Sequence, residues 1–179
     1  MIRLSRAVLL PAMMFVAAAA SEAQQQSSAE RAYFRAVARY FQVSESEIAI
    51  LRNWDLAPDE IPVLLFVARR AGVSAEALVA LRESGRDWME LSARYQIGVP
   101  ALHVPLRDPS SAGRLSGLYE SFSETPVERW GDIRPSSEDI VALINVRVLS
   151  QSLGLQPDDV MSRTTTETSF IELYAQLLR

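Results

Sequence analysis

Residues 61–74 read IPVLLFVARRAGVS, and this stretch decides the fold. An unbroken apolar run of helical length is typical of a helix that is buried on all sides. Pro58 suits a first helical turn, and the two acids that follow it lie favourably at the positive end of a helix. Gly72 ends the run because glycine readily adopts the left-handed conformation of a helix C-terminus. We therefore predict a helix over 58–71, at the centre of the core.

Further helices are predicted on both sides of this stretch. Residues 29–41 carry a wide apolar face at helical spacing, and Ser44 begins a capping box that starts a second helix. Ser74 caps a helix that follows the central one, and residues 86–97 place large apolar side chains on one face. Together these helices form an N-terminal lobe over 24–97.

A C-terminal lobe is predicted over residues 136–179. Its first helix runs from a cap at Ser136 to Gly154, and its last helix opens at a capping box of Thr164 and Glu167. Alternating apolar and polar residues, the mark of a strand, form no convincing run in the chain. The predicted fold class is all-α.

The segment 98–135 has a different composition, and its prolines and glycines interrupt every periodic run of apolar residues. Short helices are predicted only at 115–121 and 127–130. We interpret the segment as an irregular bridge that passes over the surface between the two lobes. The interrupting residues are Pro100, Pro105, Pro109, Gly113, Gly117, Pro126, Gly131 and Pro135.

An internal repeat is suggested by two alignments of the chain with itself. Residues 38–44, ARYFQVS, match residues 68–74, ARRAGVS, at a shift of 30 residues. A second match, at a shift of 82 residues, sets residues 72–91 on residues 154–173. This pattern predicts repeat-like short helical hairpins that pack on one another. The alternative explanation is coincidence, because unrelated helices often begin and end at the same types of residue.

Residues 1–23 have the pattern of a secretory signal peptide. Arg3 and Arg6 precede an apolar stretch over 7–20, and small residues stand at and before Ala23, where cleavage is expected. The alternative, an uncleaved membrane anchor, is disfavoured because these 14 apolar residues fall short of the ~20 needed to span a bilayer. No later segment is long enough to span. We therefore predict a periplasmic or secreted protein.

Composition excludes several chemistries. The chain has no cysteine and one histidine, so disulfides, thiolate chemistry and transition-metal sites are not expected. Its seven glycines are scattered, and none forms a phosphate-cradling loop. A net charge of −4 at pH 7 disfavours non-specific binding to nucleic acid or anionic lipid. No cofactor is predicted.

Residues 67–82 resemble the helix-turn-helix of DNA-binding repressors, with a small alanine, a glycine in the turn, an apolar residue and a serine cap. The resemblance implies a DNA-binding protein as one alternative. The would-be recognition helix departs from the family, because it offers Glu76 and aliphatic residues where a groove-reading helix carries arginine, asparagine, glutamine or lysine. The leader and the acidic charge also point away from DNA.

A second alternative is a carboxylate-dependent enzyme acting on cell-wall glycans. Glu120, Glu124 and Glu128 are spaced by four residues and offer an acid and a base. This alternative predicts that they lie in a deep cleft, where their pKa values would be raised. Acids at this spacing also occur on ordinary solvated helix faces.

Three residues of the bridge are candidates for partner binding: Trp130, His103 and Tyr119. Trp130 lies in the irregular segment, so it is not expected on the buried face of a core helix. His103 is the only histidine and lies between two apolar residues near Pro100 and Pro105. No nucleophile motif accompanies it, so a catalytic role is not indicated.

The chain is similar to exported bacterial proteins of unassigned function. These share a Leu/Phe-rich helix ending in residues 68–74, followed by Leu81-Arg82 and by residues 85–89, GRDWM. The resemblance implies export and no particular activity. Because enzyme signatures are absent, we expect an interaction module that binds an envelope or secreted protein or peptide, in a helical groove with Trp130 at its edge.

Export and cleavage can be tested by intact mass and N-terminal sequencing of the chain produced in a Gram-negative host. We expect the processed protein to begin at Gln24, because cleavage after Ala23 follows the small-residue pattern. A chain that keeps residues 1–23 and stays in the membrane fraction would identify the leader as an anchor instead.

Overall fold

The structure, a computed structural model, describes residues 28–179 and is helical throughout, with no strand in that part of the chain. The all-α prediction is confirmed. The predicted leader lies outside the described residues. The α-helices are residues 28–41 (α1), Glu45–Leu51 (α2), Ile61–Ala71 (α3), Ala75–Glu83 (α4), Trp88–Arg94 (α5), Val99–Leu102 (α6), Ser116–Glu124 (α7), Ser137–Leu153 (α8), Pro157–Met161 (α9) and Phe170–Leu177 (α10).

The core is built on α3 and α8, which pack against each other. Every residue of α3 from Ile61 to Val67 is buried, as the apolar run predicts. The 17-residue α8 begins with a capping box of Ser136 and Asp139 and ends at Gly154 in the left-handed conformation. Buried residues from α1 to α10 join in one hydrophobic cluster around this pair. The division into two lobes is therefore not confirmed.

Four helix ends share one backbone geometry. A left-handed residue lies one or two positions after each helix, and the apolar residue that follows it donates its N–H to a carbonyl five residues back. Glycine occupies two of the left-handed positions, whereas Gln42 and Gln96 occupy the others with φ of 53° and 57°. The bonds are Val43 to Ala38, 3.0 Å, Val73 to Ala68, 3.2 Å, Ile97 to Ser92, 2.8 Å, and Leu155 to Ser150, 2.9 Å.

Three of these four turns lie where the sequence aligns with itself, at 38–43, 68–73 and 150–155. The shared feature is a way of ending a helix that many helical proteins use. Repetition of the whole hairpin unit is not confirmed.

The segment 98–135 is packed into the fold, whereas we expected it to pass over the surface. It contains α6, α7 and short 3-10 turns at Pro109–Ser111, Gly113–Leu115 and Val127–Asp132. The sequence does not reveal this structure, because its helices and turns are too short to show a helical repeat. Most of its buried side chains come from α6 and α7. The buried residues are Val99, Leu102, Val104, Ala112, Leu115, Leu118, Tyr119 and Phe122.

A carboxylate on α9 fixes the middle of this segment. Asp158 Oδ1 accepts hydrogen bonds from the backbone N–H groups of Arg107, at 3.0 Å, and Asp108, at 2.9 Å. Close to it, the chain touches α9 so tightly that a Cβ on Gly113 would lie 2.3 Å from the carbonyl oxygen of Met161. Only glycine fits there, so the segment is docked on α9.

A buried asparagine on α8 connects three parts of the chain. Asn145 is 0 % exposed, and its Oδ1 accepts a 2.5 Å hydrogen bond from the hydroxyl of Tyr33 on α1. Its Nδ2 donates to the carbonyl of Asp59, at 2.8 Å, and to the carbonyl of Val141, at 2.9 Å. Burial, with the nearby Asp59, raises the pKa of Tyr33, so its hydroxyl remains a donor.

The turn Pro58–Glu60 extends this network to α10. Asp59 Oδ2 accepts a 3.1 Å hydrogen bond from the N–H of Phe170, the first residue of α10. Burial raises the pKa of Asp59 although this bond lowers it. One short turn therefore touches both the central helix of the core and the last helix of the chain.

Within residues 28–179 no helix is both long and apolar enough to cross a membrane. This agrees with the sequence, in which no segment after the leader is a candidate span.

Replacing Asn145 tests the importance of this network. We expect Asn145→Ala to lower the free energy of unfolding by about 2 to 4 kcal/mol, because the hydroxyl of Tyr33 and the carbonyl of Asp59 lose a buried partner. Gln151→Ala, at an exposed position of the same helix, is the matched control and should change little. Urea denaturation followed by circular dichroism measures both.

A double-mutant cycle identifies the partner. Tyr33→Phe should cost about 1 kcal/mol or more, and the double variant should cost less than the sum of the two single variants. Additive costs would show that the Tyr33–Asn145 bond does not stabilise the fold.

Candidate functional site

A small apolar cleft lies between α5, the beginning of α6 and the residues that follow the 3-10 turn Val127–Asp132. We call it the α5–α6 cleft. Its volume is about 280 Å³. It is lined by Met89, Ser92, Ala93, Gln96, Ile97, Gly98, Val99, Leu102, Gly131, Ile133, Arg134, Pro135 and Ile140.

Local sequence explains how α5 presents its residues to the cleft. Asp87 and Glu90 form a capping box that starts the helix at Trp88. Ser137 Oγ, at the start of α8, accepts hydrogen bonds from the N–H of Trp88, at 2.9 Å, and of Met89, at 3.3 Å. Trp88 lies in the core, and Met89 and Ser92 of the same helix line the cleft.

A half-buried glutamate fixes α5 from the other side. Glu60 Oε1 accepts a 2.7 Å hydrogen bond from the indole Nε1 of Trp88 and a 2.5 Å bond from Arg82 on α4. The Arg82 guanidinium also lies 5.0 Å from the centroid of the Trp88 ring. The wall of the cleft formed by α5 is therefore held by α4, α8 and the turn Pro58–Glu60.

The cleft offers binding groups that the fold itself does not use. Ser92 is 4 % exposed, and its buried hydroxyl has no hydrogen-bond partner within the described residues. Met89 is 37 % exposed and forms part of the lining. Arg134 is the only charged residue of the lining. An apolar group fits this lining.

The three residues that the sequence singled out lie together next to this cleft. The ring centroid of His103 is 4.6 Å from that of Trp130 and 5.8 Å from that of Tyr119. Phe122, which the sequence analysis did not single out, completes the cluster at 4.9 Å from His103. None of the four lines the cleft, although Leu102 and Gly131, the chain neighbours of His103 and Trp130, do.

Two polar groups of this aromatic cluster, the hydroxyl of Tyr119 and the indole N–H of Trp130, are already paired. Tyr119 is buried, and its hydroxyl donates to the carbonyl of Val104 at 2.5 Å. The half-buried Trp130 donates its indole N–H to the carbonyl of Thr125 at 3.0 Å. The cluster thus packs α6, α7 and the Val127–Asp132 turn together behind the cleft, and whether its members contact a partner stays a prediction.

Arg147 on α8 holds the end of α6 in place. Its guanidinium donates to the carbonyls of Ala101, at 3.0 Å, Leu102, at 3.0 Å, and His103, at 2.9 Å. These carbonyls lack partners within so short a helix. Burial, together with the charge of Arg147, lowers the pKa of His103 below its usual range, so the ring is neutral at pH 7.

The carboxylates of the enzyme alternative lie elsewhere. Glu120, Glu124 and Glu128 are all exposed, and none lines the α5–α6 cleft. The deep carboxylate cleft that this alternative predicts is not seen at these residues. Among the described residues, no group of three or more His, Asp or Glu side chains is arranged to hold a metal ion.

The helix-turn-helix resemblance corresponds to α3, the Gly72 turn and α4. Ser74 caps α4 through a 3.3 Å hydrogen bond from the N–H of Ala77. Leu78 and Val79 of α4 are buried in the core. The hairpin is therefore part of the fold, and its exposed first turn carries Glu76, which DNA phosphates repel.

Sequence reasoning missed Met89, Ser92 and Arg134. The sequence does place Met89 beside the apolar stripe of α5, next to Trp88, and an apolar residue just outside a buried stripe is a signal for an exposed contact. Nothing in the sequence marks the unpaired hydroxyl of Ser92 or the position of Arg134, because both depend on the path of the segment 131–135.

Family models, curated proteins and solved structures were each compared with this chain, and none matches it. The candidate site is therefore defined by geometry alone.

The lowered pKa of His103 makes stability depend on pH. The folded state binds this proton less readily than the unfolded chain, so stability should be lost as pH falls below the ordinary histidine value of 6.5. His103→Phe keeps an aromatic ring among its neighbours and should lose less stability between about pH 7.5 and about pH 5.

Two measurements check this. Urea unfolding of the wild type and His103→Phe at both pH values gives the difference in slope, with Asp59 common to both proteins. The imidazole pKa can also be read directly by NMR, because the chain has one histidine. A folded-state pKa at or above 6.5 would contradict the prediction.

Proposed function

We propose that this protein is an exported helical interaction module that binds a protein or peptide of the cell envelope and performs no catalysis. The observation that supports the proposal is the α5–α6 cleft, an apolar opening with an exposed methionine at its lining and an unpaired hydroxyl in its wall. The residues that follow Trp130 form part of its lining, whereas Trp130 itself does not line it.

The size of the cleft favours a side chain of a partner over a cofactor. Sites that enclose drug-sized ligands or cofactors occupy about 300 to 1,000 Å³. The α5–α6 cleft, at about 280 Å³, is at the lower limit of that range. A pocket of this size fits a single anchor residue, and such anchors supply most of the binding energy of protein interfaces.

The support of the cleft also favours binding. Its α5 wall is fixed by Glu60 and Ser137, and its α6 wall is fixed by Arg147. A preformed pocket binds more tightly than a mobile one, because less conformational entropy is lost on association. The partner is expected to be periplasmic or secreted, because the leader predicts that this chain is exported.

A comparative pull-down tests the proposal. The exported chain is used as bait in envelope extract, beside the variant Met89→Glu, which places a carboxylate at the lining of the cleft. The matched control is Leu178→Glu, because Leu178 is 56 % exposed, lies just after α10 and does not line the cleft. Mass spectrometry with isotope-labelled baits measures the difference.

We expect a specific envelope protein to bind the wild type and Leu178→Glu, and to bind Met89→Glu at least about tenfold more weakly, which corresponds to about 1.4 kcal/mol. Equal recovery with all three baits would exclude the cleft as the binding site. No specific protein in any eluate, with crosslinking included, would count against an interaction module.

A further inference from the structure

We infer that a second surface, a groove between α2 and the turn that joins α3 to α4, binds an amphipathic helix of another protein, with lysine or arginine beside the apolar face of that helix. We call it the α2–α4 groove. It shares no lining residue with the α5–α6 cleft, so the inference goes beyond the proposed function. The groove is lined by Phe41, Val43, Glu47, Ile50, Leu51, Trp54, Leu65, Ala68, Arg69, Gly72, Val73, Ser74, Ala75 and Glu76.

The groove lies where three helices leave a gap, because α2 does not pack closely against α3 or α4. Its volume is about 490 Å³, larger than that of the α5–α6 cleft, so it admits more than one side chain. Val43 and Val73, the apolar residues that follow two of the left-handed helix ends, both line it. The two self-aligned stretches, 38–44 and 68–74, therefore meet at this groove.

The lining presents apolar side chains that the fold leaves uncovered. Ile50 is 57 % exposed, although the next residue of α2, Leu51, is buried. Trp54 is half-buried, and the buried Phe41 and Leu65 complete the apolar lining. Large apolar side chains exposed around one groove mark a contact surface for another protein.

A helix is the form of partner that suits this groove. The described residues contain no strand, so they offer no sheet edge to which an extended segment could add. An extended segment in an apolar groove would also bury its own N–H and C=O groups without partners, which costs free energy. A helix bonds these groups internally and presents an apolar face to the groove.

Two glutamates select the charge of the partner. Glu47 and Glu76 lie in the first turns of α2 and α4, and both are exposed. Among the described residues, neither carboxylate has an ion-pair partner. The guanidinium of Arg69 is turned onto Phe41, since it donates to the carbonyl of Phe41 and lies 5.6 Å from the centroid of its ring. Lysine or arginine on the partner would meet the free carboxylates, whereas an acidic partner would be repelled.

Fluorescence anisotropy with labelled peptides tests the inference on the exported chain. The first probe has leucine along one helical face and lysine on both flanks. The second has glutamate in place of every lysine, and the third has proline in the central turn, which breaks the helix. We expect the lysine probe to bind at least about fivefold more tightly than either of the others, and its advantage over the glutamate probe to shrink in about 1 M salt.

Charge variants assign the lysine preference to the groove. The double variant Glu47→Gln with Glu76→Gln should bring the lysine and glutamate probes to within about twofold of each other, because two exposed ion pairs are lost. Glu120→Gln with Glu124→Gln is the matched control. It removes the same charge from exposed acids outside the groove and should keep the preference.

A second pair of variants tests the apolar contact. Ile50→Gln retains a good helix former and should weaken binding of the lysine probe at least about fivefold, the loss expected for a contact residue that matters. Val127→Gln, at an exposed apolar residue outside the groove, should leave binding unchanged. The ¹⁵N spectrum of each variant confirms that it is folded. In the wild type, the lysine probe should shift the amides of Ile50 and Val73 and the indole of Trp54.

Several outcomes would overturn the inference. Equal binding of the lysine and glutamate probes would remove the charge argument, and equal binding of the proline probe would remove the helix. Shifts confined to other surfaces, or no shifts with the lysine probe at about 1 mM, would exclude the groove. Self-association of the chain that Ile50→Gln abolishes would assign the groove to a second copy instead. All of these results leave the α5–α6 cleft to its own test with Met89→Glu.

Discussion

The hydrogen bonds of Asn145 are the interaction on which the rest of the structure depends. A side-chain amide in an apolar core is tolerated only when its donors and its acceptor are paired. Asn145 meets this condition through α1, through the turn Pro58–Glu60 and through its own helix. A shift of α8 by one residue would break these bonds, so one polar residue sets the position of the longest helix against the beginning and middle of the chain.

The turn Pro58–Glu60 connects Asn145 to the candidate site through hydrogen bonds. Its two carboxylates bond in different places, Asp59 to the first N–H of α10 and Glu60 to side chains of α4 and α5. Because the backbone carbonyl of Asp59 is bonded to Asn145, the position of the Glu60 side chain depends on the core network. The α5 wall of the cleft is thereby fixed relative to α8. Ser137, at the start of α8, also accepts a hydrogen bond directly from the backbone of α5.

Local signals in the sequence predicted most helix ends well and the assembly of the helices poorly. The predicted capping box of Thr164 and Glu167 was wrong, because α10 begins at a capping box of Ser169 and Glu172. Gly72, Ser44, Ser136 and the acids after Pro58 mark helix ends through short-range hydrogen bonds and conformational preferences, which are visible in a sequence. The left-handed Gln42 and Gln96 were not visible, because glutamine has no preference for that conformation. The segment 98–135 was misjudged for a related reason. Its turns are stabilised by distant groups such as Asp158 and Arg147, so no local pattern reveals them.

In the candidate site too, the sequence indicated residue types of interest but not where their side chains lie. Aromatic character drew attention to Trp130, His103 and Tyr119, and these residues do lie together, since large rings cluster when short elements pack. The polar atoms of Tyr119 and Trp130 bond to nearby carbonyls, however, and none of the three residues lines the cleft. Leu102 and Gly131, the chain neighbours of His103 and Trp130, do line it. The rings therefore shape the cleft through the backbone that they position and not through direct contact with its interior.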